Sequence, residues 1–354
     1  MNALFSEVQV GRHKLANRIV MAPMTRSRAD DAGVPSELVA TYYAQRASAG
    51  LIISEGVFPV AAGKGYVRTP GVDTAEQIAA WKNVTNAVHA RGGRIFMQLM
   101  HCGRVSHPSL LEDGGQPQAP SAIKAAGQTY TATGLQDFVT PHALTIVEIA
   151  GVIEGYRQAA RKAIEAGFDG VELHAASGYL PEQFLSTGSN QRNDEYGGPV
   201  ENRARFVLEV LSAMADEVGS DRVGIKISPE MNFNDIVDAD PQETYTYLVE
   251  QLKDLNLAYL HVALFGAQFD YHAALRPRFN GSYLIGSGLT KESAEKLIAD
   301  GKADAAVFGS SFLANPDLPE RFREGAALNT PNKDTFYAPG AEGLIDYPTM
   351  SQGA

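Results

Sequence analysis

Short runs of Val, Ile, Leu and Phe recur along the chain, and most are followed by a longer amphipathic stretch. The apolar runs show little alternation with polar residues, which is typical of parallel strands that are covered on both faces. The pattern predicts eight strands, at Arg18–Met21, Leu51–Ser54, Arg94–Gln98, Gly170–His174, Val223–Ser228, Tyr259–Val262, Tyr283–Ile285 and Ala305–Phe308.

Helical periodicity and capping residues predict the elements between these strands. The clearest start is Thr145-Ile-Val-Glu148, whose Thr and Glu have the spacing of a capping box. The helix that begins there is expected to reach Ala166. The other helices are predicted from Ser36 to Ala49, from Asp73 or Thr74 to Ala90, and over Glu201–Val218, Gln242–Leu255, Thr290–Asp300 and Asp317–Glu324.

Glycines punctuate the boundaries between helices and strands. Five follow a helical run and precede a strand, where a left-handed residue is wanted to end the helix: Gly50, Gly92, Gly167, Gly219 and Gly301. Eight strands in alternation with helices predict an α/β fold, a single (β/α)8 TIM barrel domain over residues 1–354. A doubly wound open sheet is the alternative, but no GxGxxG motif follows the first strand.

One connection is much longer than the others. Residues 99–143 contain no convincing helix, whereas about six residues usually join such elements. The segment is rich in Pro and Gly, and Thr129–Val139 is expected to form a hairpin. Long loops after barrel strands normally serve binding, so we predict that residues 99–143 are a lid or insertion loop within the domain.

Composition excludes several classes of protein. The 354 residues are 44% hydrophobic and 20% charged, which is globular composition. The net charge of −11 disfavours a nucleic-acid partner, because an acidic surface repels phosphates. No apolar run is long enough to span a membrane, and the first residues lack the apolar centre of a signal peptide. One cysteine permits no intramolecular disulfide, and together these features predict a cytoplasmic protein.

The strand ends carry the candidate chemistry, because barrel sites lie at the carboxyl ends of the strands. Gly286-Ser287-Gly288 and Gly309-Ser310-Ser311 follow the last two strands, where barrels often bind phosphate; an ordinary turn is the alternative. His174, Ser177 and Tyr179 follow strand four and offer donors to a substrate oxygen, although a buried structural histidine is also consistent with that spacing. No pair of strand-end residues has metal-ligand spacing, which predicts no metal site.

Several longer motifs carry a resemblance to a known family. They are Asn17-Arg18-Ile19-Val20-Met21-Ala22-Pro23-Met24-Thr25-Arg26, Ile53-Ser54-Glu55-Gly56, Gln98-Leu99-Met100-His101-Cys102-Gly103-Arg104, Ser189-Asn190-Gln191-Arg192-Asn193-Asp194-Glu195-Tyr196-Gly197-Gly198, Glu201-Asn202-Arg203, Asn315-Pro316-Asp317-Leu318-Pro319 and Phe336-Tyr337. In this order they resemble the old yellow enzymes, FMN-dependent ene-reductases on a (β/α)8 barrel. Thr25 and the Gly340–Gly343 tail are similar to the classical branch, and to its bacterial N-ethylmaleimide and nitrate-ester reductases.

The resemblance implies an oxidoreductase that takes hydride from NAD(P)H onto FMN and delivers it to an electron-poor alkene such as an enone, maleimide or nitroalkene. By position, the residues implied to bind FMN are Pro23, Met24, Thr25, Gly56, Gln98, Lys226, Ser287, Gly288, Gly309 and Ser310. Within this set Thr25 is expected to donate to the flavin O4, Gln98 to pair with the pyrimidine edge, and Lys226 to lie near N1. The last four residues are expected to surround the phosphate.

The resemblance also implies catalytic and substrate-binding residues. His174 and Ser177 are expected to hold the activating oxygen of the substrate, and Tyr179 to protonate the α-carbon. The residues implied to border the substrate cavity are Tyr66, Met100 and Tyr337. The expected partner is a small-molecule alkene, with no nucleic acid and no membrane, and the protein is expected to be a monomer or homodimer.

Four positions depart from the family pattern. Ser177 stands where Asn or His is usual, Lys226 and Ser310 stand where Arg is usual, and Met100 replaces an aromatic residue. Lysine keeps the charge but lacks the planar fork of arginine, and serine offers only a neutral contact. These changes keep two alternatives open: a flavin-barrel isomerase without net redox turnover, or a non-enzymatic binder that has lost FMN.

Overall fold

The computed structural model describes residues 3–352, and its centre is a closed barrel of eight parallel strands. The strands are β1 (Ile19–Met21), β2 (Leu51–Val57), β3 (Ile95–Leu99), β4 (Gly170–Ala175), β5 (Val223–Ile227), β6 (Tyr259–Ala263), β7 (Ser282–Gly286) and β8 (Ala305–Phe308). Each strand pairs with the next along the chain, and β8 pairs with β1. The predicted (β/α)8 barrel is therefore confirmed. Of the predicted domain 1–354, residues 1, 2, 353 and 354 lie outside the described part.

The strands form because their residues are apolar on both faces. All seven residues of β2 are buried, and so are all five of β3. One buried cluster, which includes Val20, Ile53 and Phe96, fills the barrel interior, while alternate residues such as Ile19 and Ile52 belong to the larger cluster under the helices. This alternation explains why the sequence shows continuous apolar runs and not a pattern of period two.

Ten α-helices are assigned in the described residues. They are α1 (Glu37–Gln45), α2 (Ala75–His89), α3 (Ile146–Glu165), α4 (Leu180–Leu185), α5 (Val200–Val218), α6 (Pro241–Leu252), α7 (Tyr271–Leu275), α8 (Lys291–Ala299), α9 (Ser310–Ala314) and α10 (Leu318–Glu324). The predicted capping box at Thr145 and Glu148 is confirmed, and Thr74 caps α2 in the same way. The prediction missed α4, α7 and α9, which are at most six residues long and too short to show a helical period.

The prediction for Gly50 was wrong. Four of the five glycines adopt the expected positive φ, but Gly50 does not, and α1 ends at Gln45, earlier than the predicted Ala49. A Cβ at Gly50 would lie 2.1 Å from the carbonyl oxygen of Asn17. Gly50 is therefore required by a close backbone approach at the start of β2, not by a helix end.

The long connection after β3 contains little regular structure. Its hairpin pairs Gln128–Thr131 with Gly134–Asp137, which confirms the predicted hairpin, and Gln118–Ala119 pairs with His142–Ala143. At the opposite end of the barrel, Val8–Val10 and His13–Leu15 form an antiparallel pair. Within residues 3–352, no helix has the length and apolar content needed to cross a membrane.

Candidate active site

A cavity of about 290 Å³ opens at the carboxyl ends of β1, β6, β7 and β8. Its walls include seven of the ten residues predicted to bind FMN: Pro23, Met24, Lys226, Ser287, Gly288, Gly309 and Ser310. His261 on β6 and Phe265 in the following loop, which the sequence analysis did not single out, also line it. The cavity thus lies on the face of the barrel that carries the sites of such folds.

One end of the cavity offers donors for an anion. Ser287 and Gly288 turn sharply after β7, with φ values of 90° and 65°. The buried Oγ of Ser287 has no hydrogen-bonding partner in the described residues, which costs free energy unless a ligand supplies one. Gly309 and Ser310 lie at the start of α9 in the same cavity wall. The residues present therefore fit the phosphate of FMN.

The three other predicted FMN residues, Thr25, Gly56 and Gln98, do not line this cavity. Thr25 follows Met24 in the chain and is partly exposed, while Gly56 on β2 lies directly opposite Gln98 on β3 in the sheet register. A Cβ at Gly56 would lie 2.5 Å from the terminal methyl of Met100. Glycine at position 56 therefore leaves room for Met100, which is predicted to border the substrate cavity.

Glu172, which the sequence analysis missed, is the centre of a buried polar network. One of its carboxylate oxygens accepts a hydrogen bond from Gln98 Nε2 at 2.8 Å, and the other lies 3.1 Å from His261 Nδ1. Glu172 and His261 are both buried. Burial lowers the pKa of His261, and the neighbouring carboxylate acts in the opposite direction. Register places Glu172 beside Gln98, a signal that appears only once the strands are aligned.

Lys226 supplies a cation to the cavity. Burial lowers its pKa, while Glu172 raises it. Register places Lys226 directly beside His174 on β4, and burial together with this cation lowers the pKa of His174 well below its usual value. His174 is therefore neutral near pH 7, and its buried Nδ1 has no partner in the described residues. A neutral imidazole donates one N–H without carrying charge.

Tyr66 and Tyr179 form a hydrogen-bonded pair, with 2.9 Å between their hydroxyl oxygens. The ring of Tyr179 also packs edge-on against His174, with centroids 4.9 Å apart. Burial raises the pKa of both phenols, so both carry their protons at neutral pH. Both tyrosines share an apolar cluster with Met100. The structure therefore joins one predicted catalytic residue to two of the predicted substrate-border residues.

Ser177 lies in the turn between His174 and Tyr179 and has a φ of 58°. Its backbone N–H donates to Ser228 Oγ at 2.9 Å, and its hydroxyl contacts the sulfur of Met231 at 3.8 Å. The hydroxyl is thus directed toward Met231, and its expected place at the substrate oxygen stays a prediction.

Tyr337, the third predicted border residue, is exposed on the C-terminal tail. Buried Arg28 fixes this tail by donating to the carbonyl oxygens of Thr335 and Phe336 at 2.8 Å and of Glu342 at 2.9 Å. Arg68 donates to the carbonyl oxygen of Tyr337 itself at 2.9 Å. The tail is therefore anchored through its backbone, which leaves the Tyr337 side chain unburied.

Comparison with known proteins identifies relatives along almost the whole chain. The sequence matches the NADH:flavin oxidoreductase / NADH oxidase family over residues 3–329. A probable flavin mononucleotide-dependent alkene reductase of Leishmania infantum is 42% identical, over 99% of this chain and 98% of that protein. The 12-oxophytodienoate reductase 1 of Oryza sativa subsp. japonica is 41% identical, over 99% of this chain and 93% of that protein.

Solved structures give the same result for the fold. Morphinone reductase superposes with a TM-score of 0.95 at 48% identity, over all of this chain and 98% of the other. Its complex with tetrahydroNAD also superposes with a TM-score of 0.95. An old yellow enzyme homologue from Zymomonas mobilis has a TM-score of 0.95 at 39% identity, over 98% of this chain and 99% of that one.

Proposed function

Because this chain belongs to the NADH:flavin oxidoreductase / NADH oxidase family, we propose that it reduces the C=C bond of electron-poor alkenes with NAD(P)H, as an FMN-dependent ene-reductase. Membership of the old yellow enzyme family and FMN as cofactor, both predicted from the motifs, are confirmed by the relatives. Enones, maleimides and nitroalkenes are the proposed substrates, since each places a polar acceptor next to the alkene.

The observation that carries the proposal is a neutral histidine packed against a protonated tyrosine beside the cavity. We propose that His174 donates a hydrogen bond to the activating oxygen of the substrate, where negative charge develops. Tyr179 is proposed to deliver a proton to the α-carbon, with Tyr66 hydrogen-bonded to its hydroxyl. Ser177 is proposed to assist at the same oxygen, and Met100 and Tyr337 to border the substrate.

The cavity residues are proposed to hold the cofactor. Ser287, Gly288, Gly309 and Ser310 take the phosphate, while Pro23, Met24, Thr25, Gly56, Gln98 and Lys226 surround the ring system. When bound, FMN supplies the hydride chemistry, and the protein supplies position and electrostatics. The cation of Lys226 favours negative charge at the adjoining edge of the ring system.

The remaining proposals concern partners and location. We propose a small-molecule, electron-poor alkene as the substrate, no nucleic-acid or membrane partner, and a monomer or homodimer in the cytoplasm. The net charge of −11 supports the absence of a nucleic-acid partner.

The test is a half-reaction experiment. Protein loaded with FMN is reduced without oxygen by NAD(P)H, and 2-cyclohexenone is then added while the visible absorbance of the flavin is followed. Return of the oxidised spectrum only after the enone is added supports the proposal. A flavin that stays reduced would remove it, as would a protein that fails to take up FMN.

A further inference from the structure

The turn between His174 and Tyr179 is closed by a backbone hydrogen bond from Tyr179 N–H to the Ala176 oxygen at 3.3 Å, and side chains hold the two residues at its tip. Both peptide N–H groups and both carbonyl groups of Ser177 and Gly178 are hydrogen-bonded to a side chain. The four bonds are Ser177 N–H to Ser228 Oγ at 2.9 Å, Asn234 Nδ2 to the Ser177 oxygen at 2.8 Å, Gly178 N–H to Glu182 Oε2 at 2.6 Å and Gln183 Nε2 to the Gly178 oxygen at 2.8 Å. We call these four side chains the turn cradle.

The turn needs such support because its backbone is left-handed at two successive residues. Ser177 has a φ of 58° and Gly178 a φ of 77°, and serine rarely adopts this region. The packing is also close, since a Cβ at Gly178 would lie 2.7 Å from both Asn234 Cβ and the Phe233 oxygen. Residues held in rare backbone regions persist only where the surroundings fix them.

Glu182 is the only member of the cradle that can change its charge. It is buried at the start of α4, and Tyr245 on α6 donates to its second oxygen at 2.5 Å. The pKa of Glu182 is raised to about 7, because burial and, to a smaller extent, Asp238 raise it more than the hydrogen bonds from Tyr245, Gly178 and Ser228 lower it.

No neighbouring arginine on α5 is bonded to the Glu182 carboxyl group. Arg203, whose guanidinium lies near α4, donates to the carbonyl oxygens of Leu185 and Gly198 and to Thr244. The Glu182 carboxyl group therefore has no salt-bridge partner in the described residues. Of the titratable side chains near it, Tyr245 lowers its pKa and Asp238 raises it.

We propose that Glu182 is a positioning residue for the protonation step: its ionised carboxylate fixes the Ser177–Gly178 turn and thereby the relative positions of His174 and Tyr179. A charge-assisted hydrogen bond to Gly178 N–H is about twice as strong as a neutral one, so ionisation tightens the turn. The role of Glu182 in the protonation step rests on the proposed function. The hydrogen bonds of the turn cradle do not depend on that function.

The first test compares the two half-reactions between pH 5.5 and 8.5 in FMN-loaded wild-type and Glu182→Gln protein. The amide imitates the neutral acid, because it offers one acceptor and one donor. In the wild type, reoxidation by 2-cyclohexenone should speed up as pH rises through about 7. In Glu182→Gln it should match the wild type at pH 6 and be about three- to tenfold slower at pH 8. Flavin reduction by NAD(P)H should be unchanged.

A second variant tests whether the inflection belongs to this carboxyl group. Because the Tyr245 hydroxyl lowers the pKa of Glu182, Tyr245→Phe should move the inflection to higher pH. The matched controls are Glu209→Gln and Tyr196→Phe, since the Tyr196 hydroxyl donates to Glu209 of α5 at 2.8 Å in a similar pair. Both controls should keep the wild-type profile. An unchanged profile in Glu182→Gln, or equal slowing of both half-reactions at every pH, would overturn the proposal.

Amide hydrogen exchange at Gly178 separates this proposal from the proposed function. Protection of Gly178 N–H should rise through pH 7 in the wild type, after correction for intrinsic exchange, and should not rise in Glu182→Gln. If protection behaves in this way but no alkene reoxidises the flavin, the proposed reaction is wrong while the cradle stands. Protection that is the same in both proteins at every pH would remove Glu182 from the cradle.

Discussion

The proposed role of Tyr179 as proton donor, with Tyr66 as its support, rests on the hydrogen bond between the two hydroxyl groups and on the ring contact between Tyr179 and His174. We expect Tyr179→Phe to slow reoxidation of the flavin by an enone by about a hundredfold or more, since general acid catalysis contributes that much. Flavin reduction by NAD(P)H needs no carbon to be protonated and should be spared. Rapid-mixing measurement of both half-reactions checks this.

Tyr66→Phe is the comparison for that variant. It removes the partner of the proton donor and keeps the donor itself, so the loss in the same step should be smaller, about three- to tenfold. If the two variants lose equal activity, or if both half-reactions slow together, Tyr179 has another role.

Ser310 sets the expected strength of cofactor binding. It stands in the cavity wall where the family pattern has Arg, and its hydroxyl offers only a neutral contact to a phosphate. A hydrogen bond from a charged donor contributes about 1.5–3 kcal/mol, so Ser310→Arg should tighten FMN binding about ten- to hundredfold. Fluorescence titration of the apoprotein with FMN measures this. A dissociation constant that does not change would show that Ser310 lies away from the phosphate.

Some residues of the candidate site could be predicted from the sequence, whereas others could be identified only from the structure. The predicted strand ends and the family resemblance identified His174, Tyr179 and Lys226, and the barrel explains why His174 and Lys226 lie at the ends of neighbouring strands. Glu172 and Asn234 were missed because their partners are distant in the sequence: Glu172 contacts Gln98, and Asn234 contacts Ser177. Such partners become visible only when strands and loops are aligned in space.

At the scale of elements, the C-terminal tail depends on Arg28. Its guanidinium donates to four tail carbonyls, those of Thr335, Phe336, Gly340 and Glu342. Arg28→Lys replaces the planar fork with one ammonium group that cannot reach them all, so we expect a loss of about 1–3 kcal/mol of stability. In this variant, residues 335–343 should exchange their amide hydrogens faster. The KM for the alkene should change by a larger factor than the rate of flavin reduction by NAD(P)H.

The control for the tail is Arg205→Lys. Arg205 lies on α5, and its guanidinium donates to the carbonyl oxygen of Glu195 at an exposed position. It should leave exchange in residues 335–343 unchanged. If Arg28→Lys behaves like this control, Arg28 does not anchor the tail.

Element prediction succeeded where length and caps gave a strong signal and failed where they did not. The capping box at Thr145 fixed the start of α3, whereas α4, α7 and α9 are too short for periodicity to detect. Gly50 shows a second limit: a glycine before a strand marks either a helix end or a close backbone contact, and only the structure separates the two.

At the scale of the whole molecule, buried carboxyl groups should make stability depend on pH. Burial raises the pKa of Glu55 to about 7, despite Arg26 and Arg28 nearby. Between its unfolded pKa and about pH 7 the folded state then holds a proton that the unfolded state has released, so the Glu55 contribution to stability falls as pH rises through this range. Glu55→Gln should remove this fall, and relative to the wild type it should gain roughly 1–3 kcal/mol between pH 5 and pH 8.

Chemical unfolding of FMN-saturated protein at the two pH values measures this difference. A wild type and variant whose free energies of unfolding change in parallel with pH would show that Glu55 ionises normally in the folded protein.

The barrel as a whole followed from simple signals. Eight unalternating apolar runs separated by helices indicate strands that are covered on both faces, and the missing GxGxxG motif favoured the barrel over a doubly wound sheet. The sequence did not predict the hydrogen bonds that connect separate loops and helices at the candidate site. The contacts of Ser177 with Ser228 and Asn234 join segments that are 51 and 57 residues apart, and no sequence spacing predicts them.

The stoichiometry of turnover without oxygen tests most directly whether the protein is an ene-reductase. FMN-loaded protein is mixed with a measured amount of NAD(P)H and excess 2-cyclohexenone, and cyclohexanone is quantified by gas chromatography. We expect one cyclohexanone for each NAD(P)H consumed, and no consumption of NAD(P)H when the enone is left out. Consumption that does not require the enone, or enone that is isomerised or recovered without reduction, would contradict it.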